Sequence, residues 1–446
     1  KFTSSYNLIS AANEELASSK TDVKADSVII VGVLDGTKPK DNGGYTPTIA
    51  LKADVLSDGR SIRLPLAETT VTEDQRGVKR LDPTSMGAVE MGCVSRETSV
   101  TDTIIAGETF LTKEYNKAGI YEGVVDTTED ANGCELIVTH KLVVKPNPSV
   151  KEYYVKVKGE GDGSNWDEAM NGADFAFVFS QVPDGTKFYL AEGEYQPVYD
   201  DHGNIPSEDK ILDKRFYTEK LVSLYGGFPD TATGTNKNSD PKKYITLFSG
   251  DLGHDNPSTF SKENVYADFR KNDLNHILVM SPKSEGDIEI KGITFANAYQ
   301  STREGSSIVN IYSGKVNCEI SECTFSQGEY GLHMGVPGEI KDCYFVNNYG
   351  TAASINFGLE STGFKLTVTG STFEMNGYSL SLYCPFNVNN CTFQSEGSMS
   401  IGYSANGIMA NNTIMCGVDL MSSDAKFVGN ILNGTITTLE ENAKFT

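Results

Sequence analysis

One denser cluster of ionisable side chains precedes the most regular part of the sequence, between residues 251 and 276. It comprises Asp251-Leu-Gly-His-Asp-Asn256, followed by Asp268, Arg270, Asp273 and His276. Two acids and a histidine in one loop could hold calcium through carboxylate oxygens or act as acid and base. Glycoside hydrolysis uses such a pair, one carboxyl as acid and the other as base or nucleophile. The plainer reading is a solvated loop in which Asp251 makes a turn, and that reading is preferred. His202 and His254 are loop residues with no stronger claim. The later chain is sparse in acid–base groups. The last Arg is Arg303 and the last His is His333. Residues 376–446 hold only Glu396, Asp419, Asp424, Glu440 and Glu441 as acids, with Lys426 and Lys444 as bases. No catalytic residue, metal ligand or cofactor is therefore assigned. A groove lined by tyrosines such as Tyr330, Tyr349 or Tyr378 would indicate binding. Aligned carboxylates with a Lys or Arg on one outer face would indicate an enzyme.

An enzyme site would work from the 199–303 region, ahead of and into the stretch that organises the chain and repeats itself, residues 286–435. Its pieces share one shape: Ile290-Lys-Gly-Ile-Thr-Phe295, Ile320-Ser-Glu-Cys-Thr-Phe325, Ile340-Lys-Asp-Cys-Tyr-Phe345, Val368-Thr-Gly-Ser-Thr-Phe373, Val388-Asn-Asn-Cys-Thr-Phe393, Met409-Ala-Asn-Asn-Thr-Ile414 and Phe427-Val-Gly-Asn-Ile-Leu432. A variable period near 20 residues, with occasional longer coils, marks a solenoid. A single coil cannot bury its own apolar face, so coils must stack. The apolar positions are β-branched or aromatic, and Asn, Gly, Ser and Thr lie between them. Helical spacing of Leu and Ala is missing. Alternation turns the third and fifth residues after the first apolar one inward. That places Cys323, Cys343 and Cys391 in one column with Ile293 and Ser371, and the phenylalanines in another. Asn or Gly in the bends fits tight turns. With these features the stretch resembles the right-handed parallel β-helix repeats of secreted bacterial proteins, the pectin lyase-like fold.

The opening of this domain carries the resemblance further. Gly163-Ser-Asn-Trp166, Ala173-Asp-Phe-Ala-Phe-Val-Phe179, Val182-Pro-Asp-Gly-Thr186 and Glu192-Gly-Glu-Tyr195 resemble the entry of Bacteroidetes β-helix proteins, as do Leu224-Tyr-Gly-Gly-Phe228, Ser249-Gly-Asp251 and Asn275-His-Ile-Leu278. The first coil would otherwise expose its interior and a backbone edge. A short amphipathic segment with Phe175, Val178 and Phe179 should lie across that end. Trp166, the only Trp, should belong to this cap; an exposed sugar platform is its alternative. Residues 197–216 should form a loop leaving the stack. Ten to twelve coils are expected from Thr186 onward.

Ahead of the solenoid, residues 93–148 resemble short immunoglobulin-like repeats of Bacteroidetes surface proteins and adhesins. The resemblance rests on Thr103–Phe110, Ala118–Val125, Asn132-Gly-Cys-Glu135 and Lys145-Pro-Asn-Pro148. This chain has Ile105 where those repeats carry their first Cys. Cys93 with Cys134 is the one pair considered for a disulfide. The six cysteines of the repeat region should be reduced, buried thiols. Leu136, Val138, His140, Leu142 and Val144 share one strand face, and His140 there is a satisfied or edge residue rather than a ligand. Residues 1–92 read as a β-rich, sandwich-like module, with strands at 27–33, 48–55 and 60–66. Residues 153–446 form the β-helix domain, giving an all-β chain of three parts.

The 446 residues carry 38 basic and 60 acidic side chains, a net charge of −22. Nucleic acid and anionic membrane surfaces are poor partners for such a chain. No apolar run reaches the roughly 20 residues a spanning helix needs. The chain begins at Lys1, so a targeting segment or a lipid anchor upstream is compatible with it. The resemblance implies a secreted or outer-membrane surface protein of a bacterium. Its leading function is that of a non-catalytic adhesin-like or glycan-binding protein, with a polysaccharide, a surface glycan or a protein as partner. A polysaccharide lyase or glycoside hydrolase is the second reading, and an architectural spacer the third.

Overall fold

A computed structural model describes residues 96–129, 135–200, 204–257, 268–299, 307–312, 315–357, 365–402, 405–421, 424–438 and 444–445, with shorter stretches before residue 90. The expected strand at 27–33 and both members of the Cys93–Cys134 pair lie outside the described residues, as does His202.

The chain divides into two compact units, one of Lys1–Asp102 with Ile120–Val143, the other of Thr103–Gly119 with Val144–Thr446. In the first, Leu8–Ser10 pairs in parallel with Val23–Ala25, and Arg63–Leu64 pairs antiparallel with Thr84–Ser85. Arg96–Ile105, Glu135–Lys145 and Gly119–Glu129 form a three-stranded sheet in that order. Along its central strand Val138, Leu142 and Val144 are buried and Lys141 and Lys145 exposed, the expected alternation. His140 Nδ1 lies 2.6 Å from Asp102 Oδ2, so its place on that face is explained by a partner carboxylate.

The second unit is a parallel β-helix. One eleven-stranded sheet and two nine-stranded sheets run its length, every neighbouring pair of strands parallel. A coil visits the first sheet, then the second, then the third: Val316–Ser321, Thr324–Ser326 and Tyr330–Met334 make one, and Gly338–Lys341, Tyr344–Val346 and Thr351–Ile355 the next. Nine such coils are complete among the described residues, since the second and third sheets have nine strands each. This is fewer than the ten to twelve expected. The early coils are long: one runs from Thr186 to Val222 and the next to Gly286, each carrying excursions between its strands. The described residues 197–200 and 204–215 belong to one of these, which includes the 3-10 turn Glu208–Asp213.

The phenylalanine column is in register as the spacing requires. Phe248, Phe295, Phe325, Phe345, Phe373 and Phe393 are Cα partners in succession. All six are fully buried. Phe325 and Phe345 stack with centroids 4.7 Å apart at 7°, and Phe345 and Phe373 at 4.7 Å and 1°. Coil spacing of about 4.8 Å sets this distance. Ile414 and Leu432 continue the column.

The bend before this column repeats one backbone conformation. Gly292, Glu322, Asp342, Gly370, Asn390, Asn411 and Gly429 all have positive φ, between 52° and 68°. Glycine and asparagine adopt that left-handed region most readily. Gly370 is needed for a second reason, because a Cβ there would lie 2.2 Å from Asp342 Oδ1. After Gly292 the next residue is the apolar Ile293; from Glu322 onward it is a residue that serves the backbone. Ser371 Oγ accepts from Cys343 N at 3.1 Å, Asn412 Oδ1 from Cys391 N at 2.9 Å and Asn430 Oδ1 from Asn412 N at 2.8 Å. Cys323, Cys343 and Cys391 share the column as free, buried thiols whose Sγ atoms meet backbone carbonyls.

A short helix, α1 (Gly172–Phe179), closes one end of the stack. Asn171 caps it by accepting from Asp174 N at 2.8 Å, which satisfies one of the free N–H groups of the first turn. Its Phe175 ring meets Phe188, Phe216 and Phe248 at centroid distances of 5.0, 5.2 and 6.0 Å, rings from all three sheets. Trp166 is buried too, but in another place. It packs on Tyr154 and Phe228 outside the first sheet, and its Nε1 donates to Asn236 O at 2.7 Å. The exposed-platform alternative for Trp166 is thereby overturned, since the ring is 1% exposed.

Candidate functional site

The Asp251–His276 group comes together only in part. Asp251 and Asp273 face each other across an isolated bridge, and both are buried. The Asp251 carboxylate accepts from the backbone N–H groups of Asp255 and Asn256 at 3.3 and 3.0 Å. Asn256 Nδ2 donates to both Asp273 oxygens at 3.0 and 3.1 Å. Arg270 Nε lies 3.2 Å from Asp273 Oδ2, and its Nη2 donates to Gln327 O at 2.6 Å. The guanidinium faces the rings of Tyr299 and Tyr349 at 5.3 and 5.8 Å. Burial pushes the Asp273 carboxyl up to about 7, against the pull of Asn256 and Arg270. Asp268 opens the 3-10 turn that brings Arg270 to Asp273. The two histidines go elsewhere. His254 Nδ1 sits 3.4 Å from Glu194 Oε2. His276 Nδ1 meets Ser307 O at 2.9 Å and Asn310 Nδ2 at 3.0 Å, and burial lowers its pKa. The arrangement is an internal anchor fixing the 251–256 and 268–276 segments to the stack. Buried charges of this kind persist when paired and hydrogen-bonded.

A cleft of about 630 Å³ borders it, lined by Lys156, Lys158, Glu192, Glu194, Gln196, Asp230 and His254 among others. Gln196 Nε2 donates to Asp251 O at 2.6 Å and ties the cleft wall to the anchor. Its residues come from separated segments, and sequence reading did not assemble them.

The outer face of the first sheet holds a feature that the sequence reading missed. Glu289, Glu319 and Glu339 are Cα partners on successive coils. Lys291, Ser321 and Lys341 form the adjacent outward row. Tyr225 donates its hydroxyl to Glu289 Oε2 at 2.7 Å, and Lys291 Nζ lies 3.1 Å from Glu322 Oε1. The signal was present in the sequence. The same steps that align Phe295, Phe325 and Phe345 also align these three glutamates. Among the described residues no group of three His, Cys, Asp or Glu side chains converges as a metal site.

The third sheet presents a different surface. Its inward residues Leu332, Met334, Ala353, Ile355, Leu380 and Leu382 are fully buried. Between them Asn310, His333, Ser354, Ser381 and Ser400 alternate to the other side in one register row, with Asn310 itself buried against His276. Tyrosines flank it. Tyr330 and Tyr378 stand at the starts of their strands, in register with Ser307 and Thr351. Tyr312 and Tyr383 follow the strand ends, bonding through their N–H groups to Met280 O and Ile355 O. Tyr378 is 56% exposed and Tyr312 43%. Of the three tyrosines expected to line a groove, Tyr330 and Tyr378 therefore share a face. Tyr349 is diverted to the Arg270 anchor.

No known protein family, curated protein or solved structure matches the chain. Among the described residues, no helix is long and apolar enough to cross a membrane.

Proposed function

We propose that the chain is a non-catalytic glycan-binding protein, adhesin-like and displayed at or beyond a bacterial outer surface. The observation that carries this reading is the outer face of the third sheet, where serine hydroxyls lie in a register row flanked by tyrosines, Tyr312 and Tyr378 exposed. Such rings offer apolar faces with a polar tip, which suits the mixed apolar and hydroxyl surface of a sugar. The test is to incubate the protein with neutral and acidic polysaccharides, with and without calcium, and to size both components. Co-elution with one polymer of unchanged length is expected. Shortened chains would overturn the non-catalytic reading.

One observation favours a carbohydrate-active enzyme as a second reading. The Glu289–Glu319–Glu339 row sets carboxylates one coil apart, about 4.8 Å between strands, beside Lys291 and Lys341. Retaining glycosidases separate their two carboxyl groups by about 5 Å. If polymer is shortened, Glu319→Gln should abolish the cleavage, and cleavage that survives this change would remove the row from the chemistry.

A further inference from the structure

We infer that the ligand of the third-sheet face is an uncharged polysaccharide lying along one strand, across the solenoid axis, with Tyr378 and Tyr383 as its stacking platforms. The inference rests on the glycan-binding reading and adds the class of glycan and its direction.

Two glycines fix the tyrosine rings. A Cβ at Gly402 would lie 2.2 Å from Cδ1 and Cε1 of Tyr383, and a Cβ at Gly397 would lie 2.8 and 2.9 Å from the same atoms of Tyr378. Each ring thus lies against the bare backbone of the next coil, held on one side, and Tyr378 remains 56% exposed. A ring laid down on a sheet offers its other π-face to solvent, the geometry that stacks a flat apolar surface. Tyr378 and Tyr383 bracket the strand Tyr378–Leu382, five residues or about 17 Å apart at the usual rise. The platforms therefore line up along the strand, with Ser381 between them as a hydroxyl donor and acceptor. Tyr312 stands at the strand end of Tyr383, three coils away, tilted onto His333 with centroids 5.6 Å apart.

The charge on this face selects the class. Along the outward row from Asn310 to Asp419 the ionisable groups are His333, whose charged form burial disfavours, and Asp419, so the row holds no lysine or arginine. The chain as a whole carries −22, so a polyuronate is repelled at long range and meets no cation on this face. A neutral chain needs neither.

The experiment is affinity electrophoresis of the wild-type protein, Tyr378→Ala and Tyr383→Ala through gels containing a neutral glucan, xylan or mannan, or the polyuronates alginate and polygalacturonate. Melting curves confirm that the variants fold. Retardation by a neutral polymer is expected, unchanged by added salt, with each variant weakened about tenfold, as loss of an aromatic hot spot produces. Retardation by a polyuronate that both variants retain would overturn this inference and leave glycan binding standing. Neutral-polymer binding untouched by both variants would do the same. Retardation by no polymer would refute the inference together with the reading beneath it.

Discussion

Replacing one ring of the phenylalanine column tests the architecture most directly. Phe345 is fully buried and stacks on Phe325 and Phe373, both at 4.7 Å. Phe393 is equally buried but has one ring neighbour, Phe373 at 4.8 Å, with Ile414 on its other side. Leucine keeps an apolar side chain at either site and removes the ring contacts. An aromatic pair contributes about 0.5–1.5 kcal/mol beyond its buried area. Phe345→Leu should therefore lose about 1–3 kcal/mol of stacking, and Phe393→Leu about half that. The loss from the smaller side chain is common to both and cancels in the comparison. Stability in a solenoid is close to a sum of coil and nearest-neighbour terms, so the difference should survive in the global transition. Urea unfolding followed by circular dichroism reads it, with equal slopes required for the two variants. Trp166 fluorescence, from the only Trp, reports separately on the capped end. Equal losses at 345 and 393 would refute the stacking argument, and a larger loss at 393 would reverse it.

Other perturbations reach other parts of the molecule. Asp at position 345 should cost several kcal/mol, because a buried charge would have no partner; a Phe345→Asp protein that melts like the parent would mean that the column does not face inward. Asn348→Ala should cost about 2–3 kcal/mol, since its amide accepts from Gly328 N at 3.2 Å and donates to Phe325 O at 2.9 Å in a fully buried place. A change under 0.5 kcal/mol in denaturant titration would contradict that. Burial raises the Asp273 carboxyl to about 7, above its unfolded value near 4. The stability from this group is thus fully present below about pH 4 and lost as pH rises through about 7. Asp273→Asn, which cannot ionise, should gain in melting temperature relative to wild type between pH 5 and pH 8, and a relative loss would reverse the sign of the argument. Burial also lifts Cys391 to about 11 and Cys384 to about 12. Both thiols should resist alkylation at pH 8 until denaturant is added, and rapid labelling of the native protein, read by mass spectrometry, would place them at the surface.

The fold was legible where one side of a strand repeats. The phenylalanines, the thiol column and the capping helix follow from residue type and spacing, because inward positions tolerate only apolar or self-satisfied side chains. Outward rows leave a weaker imprint, since solvent accepts almost any residue. Glu289, Glu319 and Glu339 went unnoticed for that reason, although the register that aligns Phe295 with Phe325 and Phe345 aligns them too. Proximity across long excursions was not legible at all. Nothing in the spacing of Asp251, Arg270 and Asp273 told that Arg270 would be drawn inward to Gln327 O, or that Tyr349 would turn toward it. Trp166 was rightly expected to be buried, but its partner surface is the outside of the first sheet, which Tyr154, Tyr189 and Phe228 make apolar.

The bend between the first and second sheets has a bearing on how such a chain can change over generations. From Gly292 to Gly429 it is a left-handed residue in every coil, and from Glu322 onward a side chain that serves the backbone follows at once. A corner so specified accepts few substitutions and, in those coils, no added length. The corner between the second and third sheets has left-handed residues of its own at Asn297, Gln327, Asn347 and Met375, yet its length varies, with long connections between Gly193–Tyr195 and Phe216–Thr218 and between Thr246–Ser249 and Leu278–Met280. Insertions there leave the stacked columns in register. The solenoid thus separates a corner of fixed length from one of variable length, and new surface chemistry can be tried at the second without re-solving the fold at the first.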